Sequence, residues 1–138
     1  MRVFLDANIL FSAAKSDGAV RELLHLLLAH GHDCRVDEYV VIEARRNLAA
    51  KELSALIQLD TLLKRLHVSP AQAPGPELRL VNWLPEKDRA VLAAAIRLRC
   101  DALVTGDHTH FGAGYGRAYA GVTIYSPRAL AEKFFKNF

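Results

Sequence analysis

Sulfur is scarce in this chain: its 138 residues include two cysteines, Cys34 and Cys100, and a single methionine. Two cysteines so far apart form neither a disulfide framework nor a cysteine-rich zinc site. Long hydrophobic runs are also missing. Although 51% of the residues are hydrophobic, no apolar stretch approaches the roughly 18 residues of a membrane span. The opening Met1-Arg2-Val3-Phe4-Leu5-Asp6 meets an acid after three apolar residues, too few for a secretory signal core. No internal repeat is visible. These absences predict a soluble cytoplasmic protein with no membrane segment. With 24% charged residues the composition is that of a folded chain, and the length predicts a single domain over residues 1–138.

Charge of one sign is only mildly in excess. Lys and Arg number 18 against 15 Asp and Glu, a net +3. Setting aside the four acids singled out below, the basic excess grows. An acidic centre in a basic body suits a polyanionic substrate held around a metal, although an ordinary basic surface produces the same arithmetic.

The hydrophobic pattern alternates strands with helices. Val3-Phe4-Leu5 reads as a short buried strand. Val20, Leu23, Leu24 and Leu27 recur at helical spacing between Gly18 and Ala29, and Gly31 ends that helix. Cys34-Arg35-Val36 reads as a second strand, and Asp37 caps a helix with Val40, Val41, Ala44 and Leu48 on one face. A further helix is expected from Lys51 to Leu66 with Leu53, Leu56, Ile57, Leu63 and Leu66 inward, the two helices forming a hairpin that projects from the sheet. Ser69 to Pro76 carries three prolines and a glycine and reads as a connector. Leu78 to Val81 is expected to be a brief strand. Pro85 opens a helix to Arg99, and Ala102-Leu103-Val104 forms another buried strand. A glycine-rich loop follows, then strand Val122-Thr123-Ile124 and a last helix opened by Ser126-Pro127. The order predicts an α/β sandwich around a mostly parallel sheet.

Ligand sites of such sheets lie beyond the carboxyl ends of the strands. Asp6 ends the first strand and Asp107 follows Val104-Thr105 at the end of a later one. A turn-forming aspartate explains each taken alone. Asp88 opens the helix whose buried stripe is Val91, Leu92 and Ala95, so it points along the core side; the helix dipole also favours a first-turn acid, but would suit Glu86, which faces elsewhere, equally well. Glu43 sits mid-helix with Arg46 and Asn47 on its face, an arrangement that also fits a solvated helix surface. Taken together, four carboxylates brought to one place would repel without a cation. A hard divalent ion prefers such oxygen ligands and could activate a water and neutralise a leaving phosphate oxygen. Asn8 and Thr105 are placed to orient carboxylates or water.

These residues resemble the PIN-domain family of metal-dependent nucleases. Leu5-Asp6-Ala7-Asn8-Ile9-Leu10 is similar to its first motif. Glu43 within Val41-Ile42-Glu43-Ala44-Arg45-Arg46-Asn47-Leu48 matches its helical acid, Asp88 its third position, and Leu103-Val104-Thr105-Gly106-Asp107 its fourth. The ordered set spans nearly the whole chain. The resemblance implies a three-layer α/β/α sandwich with a mostly parallel sheet. It implies Mg²⁺- or Mn²⁺-dependent phosphodiester hydrolysis of RNA, with Asp6, Glu43, Asp88 and Asp107 as catalytic and metal-binding residues, supported by Asn8, Arg46, Asn47 and Thr105. Many small bacterial members, similar to the VapC group, are toxins of toxin–antitoxin pairs, so an antitoxin partner and a homodimer are implied. Many members carry a further acid where Thr109 stands here, which bears on whether one or two ions are held. His108 and His110 flank that position. His110 is a candidate contact for phosphate or a metal, with a surface loop residue the plainer reading, and His30, His32 and Cys34 read as a turn before a strand.

Arg45, Arg46, Arg89 and Arg117 are candidate phosphate contacts. A non-catalytic module that binds RNA or protein is the competing function. A phosphotransferase with Asp6 as nucleophile is disfavoured, because Asn8 stands where such enzymes carry a second aspartate. Phe134, Phe135 and Phe138 are candidates for an interface or for core packing.

Overall fold

Val3, Phe4 and Leu5 are almost wholly inaccessible to solvent, and they form the centre of a sheet rather than an edge. A computed structural model describes residues 1–135. Strand β1 (Arg2–Leu5) leads into helix α1 (Ala7–Lys15) and helix α2 (Ala19–Ala29). Strand β2 (Asp33–Asp37) follows, then helices α3 (Glu38–Lys51) and α4 (Leu56–Leu63), and strand β3 (His67–Ser69). Next come the one-turn helix α5 (Leu78–Val81), helix α6 (Glu86–Arg97), strand β4 (Ala102–Val104) and the short helix α7 (His108–Phe111). Strands β5 (Ala118–Tyr119) and β6 (Val122–Tyr125) and helix α8 (Pro127–Phe134) complete the order.

The six strands form one sheet in the order β3-β2-β1-β4-β6-β5. All neighbours are parallel except β5, which runs antiparallel to β6. Helices flank the sheet as the alternation predicts, and one continuous set of buried apolar side chains runs from β1 through α1, α3, α6 and β4. From β1 the chain crosses first to β2 on one side and later to β4 on the other. The crevice between β1 and β4 is therefore the topological switch point, where open parallel sheets build their sites. Leu5 pairs with Val104, so Asp6 and Thr105 leave the sheet at the same level.

Several expectations need correction. Helix α1 was not expected. Asp6 caps it, accepting from the Ala7 N–H at 2.7 Å, and Ile9, Leu10, Ala13 and Ala14 bury one face. Leu78–Val81 is helical, not extended. Leu78 and Leu80, which would share one strand face, are both exposed, the segment pairs with no strand among the described residues, and the backbone closes three-residue turns instead. The expected helix from Lys51 breaks at Glu52 (φ −154°, ψ 65°) and restarts after a 3-10 turn over Leu53–Ala55. That break resets the phase: Leu59 and Leu62 turn inward, while Leu53 and Ile57 are 67% and 76% exposed. The hairpin does not project, because α4 packs on both α1 and α3. Edge strand β3 carries a single apolar residue, Val68, and pairing with β2 alone makes it a strand. Within the expected glycine-rich loop lie α7, a 3-10 turn over Gly112–Gly114, and β5.

Gly31 lies at φ +78° in the turn before β2, where a left-handed conformation favours glycine. His30 and His32 pack edge-on against Phe135 and Phe134, so this turn is a packing contact rather than a metal cluster. Cys34 and Cys100 are free and buried, and burial pushes both thiols up to about 12. Phe138 lies outside the described residues. No helix among the described residues is long and apolar enough to cross a membrane.

Candidate metal centre

The carboxyl ends of β1 and β4 are tied together by side chains. Asp6 accepts from the Thr105 hydroxyl at 2.8 Å and from Asn8 Nδ2 at 3.2 Å through Oδ2, while Oδ1 takes the Ala7 N–H. Asn8 Oδ1 accepts from the Gly106 N–H at 2.8 Å. A Cβ on Gly106 would meet that same oxygen at 3.3 Å, so glycine permits the close approach. The Asp107 N–H donates to Thr105 Oγ1 at 3.1 Å, and the Tyr115 hydroxyl donates to the Thr105 carbonyl at 2.8 Å. Thr105 is fully buried. Asn8 and Thr105 thus act as clasps between two strand ends.

Beyond these ends opens a cleft of about 300 Å³. Asp6, Asp88, Asp107 and Glu43 all line it, as do Asn8 and Asn47. Helix α3 contributes Glu43, Asn47 and Lys51 at four-residue spacing, which is one stripe of a helix. Arg46 does not share that stripe. It is exposed and lines an adjoining groove with Tyr39 and Ile42, which shares Glu43 and Lys87 with the cleft. Thr105 is not part of the lining and reaches the cleft through Asp6. Arg45 pairs with Asp60 at 2.9 Å, and Arg89 donates to the carbonyls of Leu84 and Asn82. Both are occupied in structural contacts. Arg117 is exposed on the segment leading to β5.

Asp88 is buried to 7% exposure at the first turn of α6. Its neighbour is His110, which is half-buried on α7 behind the cleft lining rather than a surface loop residue. His110 Nδ1 lies 2.8 Å from Asp88 Oδ2 and 2.8 Å from Asp107 Oδ2. Neither approach is aligned as a hydrogen bond: Asp88 Oδ2 and His110 Nδ1 are buried atoms with no hydrogen-bond partner. Asp107 Oδ1 is engaged separately, accepting from the His110 N–H as the cap of α7. Three donor atoms of metal-ligand type, on Asp88, Asp107 and His110, therefore lie within 4.8 Å of one another.

Burial governs the electrostatics. It raises the Asp6 carboxyl from the ordinary 3.8 to about 6, against hydrogen bonds from Thr105 and Ala7 that lower it and the charges of Glu43 and Asp88 that raise it further. The Asp88 carboxyl is also raised, first by burial and then by Asp107, with His110 and Lys87 pulling the other way. Tyr39, whose hydroxyl donates to the Lys87 carbonyl at 3.0 Å, is raised by burial and by the same acids. Carboxylates that resist ionisation beside one another, with a buried oxygen lacking a hydrogen bond, fit a cation-binding pocket. The donor set is mostly carboxylate oxygen, which a hard divalent cation accepts.

Sequence reasoning did not single out Phe11, Lys51 or Lys87, all of which line the cleft. Lys51 was findable as the next residue on the stripe of Glu43 and Asn47. The Phe11 ring has the ammonium groups of Lys15 and Lys51 at 5.6 and 5.8 Å. It could be found only once α1 was recognised.

A family profile described as PIN domain matches residues 2–109. Comparison with curated proteins gives no match. Among solved structures the chain is similar to VapBC2 from Rickettsia felis bound to a DNA fragment from their promoter. The TM-score is 0.66 and the identity 18%, over 91% of this chain and 98% of that one. It is similar to FitAcB from Neisseria gonorrhoeae, with TM-score 0.64 and 18% identity over 91% and 98% of the two chains. It is also similar to DNA-bound VapBC from Salmonella typhimurium, with TM-score 0.63 and 15% identity over 92% and 98%. At these identities the likeness is one of fold.

Proposed function

Because the chain belongs to the PIN-domain family, we propose that it is a metal-dependent endoribonuclease of the cytoplasm, acting on single-stranded or structured RNA as the toxin of a toxin–antitoxin pair. The observation that carries this reading is the cleft at the switch point of the sheet. There four acids from the ends of β1 and β4 and from α3 and α6 meet, and a buried Asp88 oxygen lacks a hydrogen-bond partner. Asp6, Asp88 and Asp107 hold Mg²⁺ or Mn²⁺, and Glu43 holds the ion or positions the attacking water. When bound, the ion activates a water and neutralises charge on the leaving phosphate oxygen. The protein's own contribution is rigidity and charge. Asn8 and Thr105 fix the Asp6 carboxylate, so that little reorganisation accompanies the reaction. Lys51 and Lys87 supply positive charge at the walls of an otherwise acidic cleft, which suits a phosphodiester backbone. Asn47, on the same stripe as Glu43, is placed to hydrogen-bond a phosphate or a bound water.

Residues 1–138 act as one domain in this reading, in keeping with the single continuous core. The solved complexes named above motivate an antitoxin partner, and the family resemblance adds a second copy of the chain. The test is cleavage of labelled RNAs of varied sequence and structure with Mn²⁺, with Mg²⁺ and with chelator. Cleavage should require the ion and fall by about 100-fold or more in Asp107→Asn, as expected when charge stabilisation of a transition state is removed. Metal-dependent binding of RNA with no cleavage under any condition would replace the enzyme by a binding module. Unchanged cleavage in both Asp6→Asn and Asp107→Asn would refute the site.

A further inference from the structure

We infer that His110 is itself a metal ligand, so that the site takes one imidazole nitrogen with its carboxylates and favours a first-row transition ion such as Mn²⁺ over Mg²⁺. The inference rests on the metal-dependent reading above and adds to it a ligand and a preference.

Geometry carries the argument. Octahedral coordination at about 2.0–2.1 Å places neighbouring donors about 3 Å apart. The Nδ1 atom of His110 already stands 2.8 Å from an oxygen of Asp88 and 2.8 Å from an oxygen of Asp107. No hydrogen bond forms at this closeness, since Nδ1 and Asp88 Oδ2 lack hydrogen-bond geometry, and the contact is an ion pair only when the ring is protonated. Asp88 is 7% exposed, and its Oδ2 faces the ring nitrogen without a hydrogen bond. Asp107 and His110 are three residues apart on one turn, the spacing at which a carboxylate and an imidazole present donors on the same side of a helix. The cap bond from Asp107 Oδ1 to the His110 N–H holds the turn and leaves Oδ2 to face the ring nitrogen.

Chemistry supplies the preference. Magnesium is satisfied by oxygen and water and gains little from imidazole, whereas later first-row ions bind nitrogen readily. The required tautomer carries its proton on Nε2 and presents the Nδ1 lone pair to the ion.

The experiment uses the full chain and metal alone. Mn²⁺ and Mg²⁺ binding are measured by calorimetry for the wild type, His110→Ala and His110→Gln, with Asp107→Asn as reference. Pulsed electron paramagnetic resonance of the Mn²⁺ complex reads nitrogen hyperfine coupling directly. Circular dichroism confirms that each variant is folded, and the two His110 variants differ enough in size that one survives a packing defect in the other. Nitrogen coupling is expected in the wild type and absent in both His110 variants. Their Mn²⁺ affinity should fall by about 10-fold, while Mg²⁺ affinity changes by less than about 2-fold. Mn²⁺ bound without nitrogen coupling, or bound equally well by the variants, overturns the inference and leaves the carboxylate site standing. Absence of any Mn²⁺ binding by the wild type overturns both.

Discussion

At the scale of single residues, Asp6 shows how the site opposes the fold. Its carboxyl is held at about 6 by burial against an ordinary 3.8. Between those two values the folded chain keeps a proton that the unfolded chain has released. Asp6 therefore favours the folded state fully only below about pH 4, and that advantage is lost as the pH rises through 6. In the absence of metal, Asp6→Asn should raise stability by about 1 kcal/mol at pH 8 and leave it unchanged near pH 4. The Thr105 hydroxyl can turn to accept from the new amide, while the contact with Asn8 is lost, which keeps the gain small. Urea denaturation with chelator at both pH values checks this; a loss at pH 8 would count against it. The same substitution should weaken Mn²⁺ binding, and wild-type affinity should fall as the pH drops below 6, because protons then compete for the carboxylate.

At the scale of elements, the short stretch between α3 and α4 decides which leucines support the core. One continuous helix would turn Leu53, Leu56 and Ile57 inward together. The break at Glu52 leaves Leu53 and Ile57 exposed and gives the inward places to Leu59 and Leu62, with Leu56, Leu63 and Leu66 packed partly buried beside them. Leu59→Ala should cost about 2–5 kcal/mol, the range for truncating a buried leucine. Ile57→Ala, at 76% exposure, should change stability by less than about 0.5 kcal/mol. Chemical denaturation of the two variants distinguishes the phases, and an equal loss in both would restore the continuous helix. The elements that hold the acids were more legible. Asp37 caps α3 and Ser126 caps α8 with Pro127 in the first turn, as their positions announce. Helix α6 carries Asp88 on the side of Val91, Leu92 and Ala95. Helical spacing alone foretold that orientation.

At the scale of the whole molecule, the balance of +3 conceals an uneven distribution. Acids converge on the cleft while basic side chains stand around it, Lys51 and Lys87 on its walls and Lys15 beside Phe11. Counterions released from single-stranded nucleic acid give a slope of log affinity against log salt of about 0.7 per phosphate contact. Lys51→Ala and Lys87→Ala should each shallow the slope by about that amount, with the effect measured on RNA binding to Asp107→Asn so that cleavage does not intervene. Arg45→Ala and Arg89→Ala, whose guanidinium groups are engaged with Asp60 and with backbone carbonyls, should leave it unchanged. Equal slopes in all four variants would place the RNA elsewhere on the surface.

The sequence by itself determined the alternation of strand and helix, the buried central strands, and the positions of Asp6, Glu43, Asp88 and Asp107 on particular elements. These follow from periodicity, capping and strand ends, which are local properties of the chain. Tertiary structure alone decided that the four acids share one cleft, since that depends on β1 and β4 lying side by side at the switch point. It also decided which charged groups were free. Arg45 and Arg89 are engaged with partners distant in sequence or with backbone carbonyls, while Arg46 lines a groove that adjoins the cleft through Glu43 and Lys87. His110 looked like a loop residue because its spacing from Asp107 was visible while the approach of Asp88 was not. A side chain's neighbours across the fold set its burial and its unpaired atoms, and no window along the chain contains them.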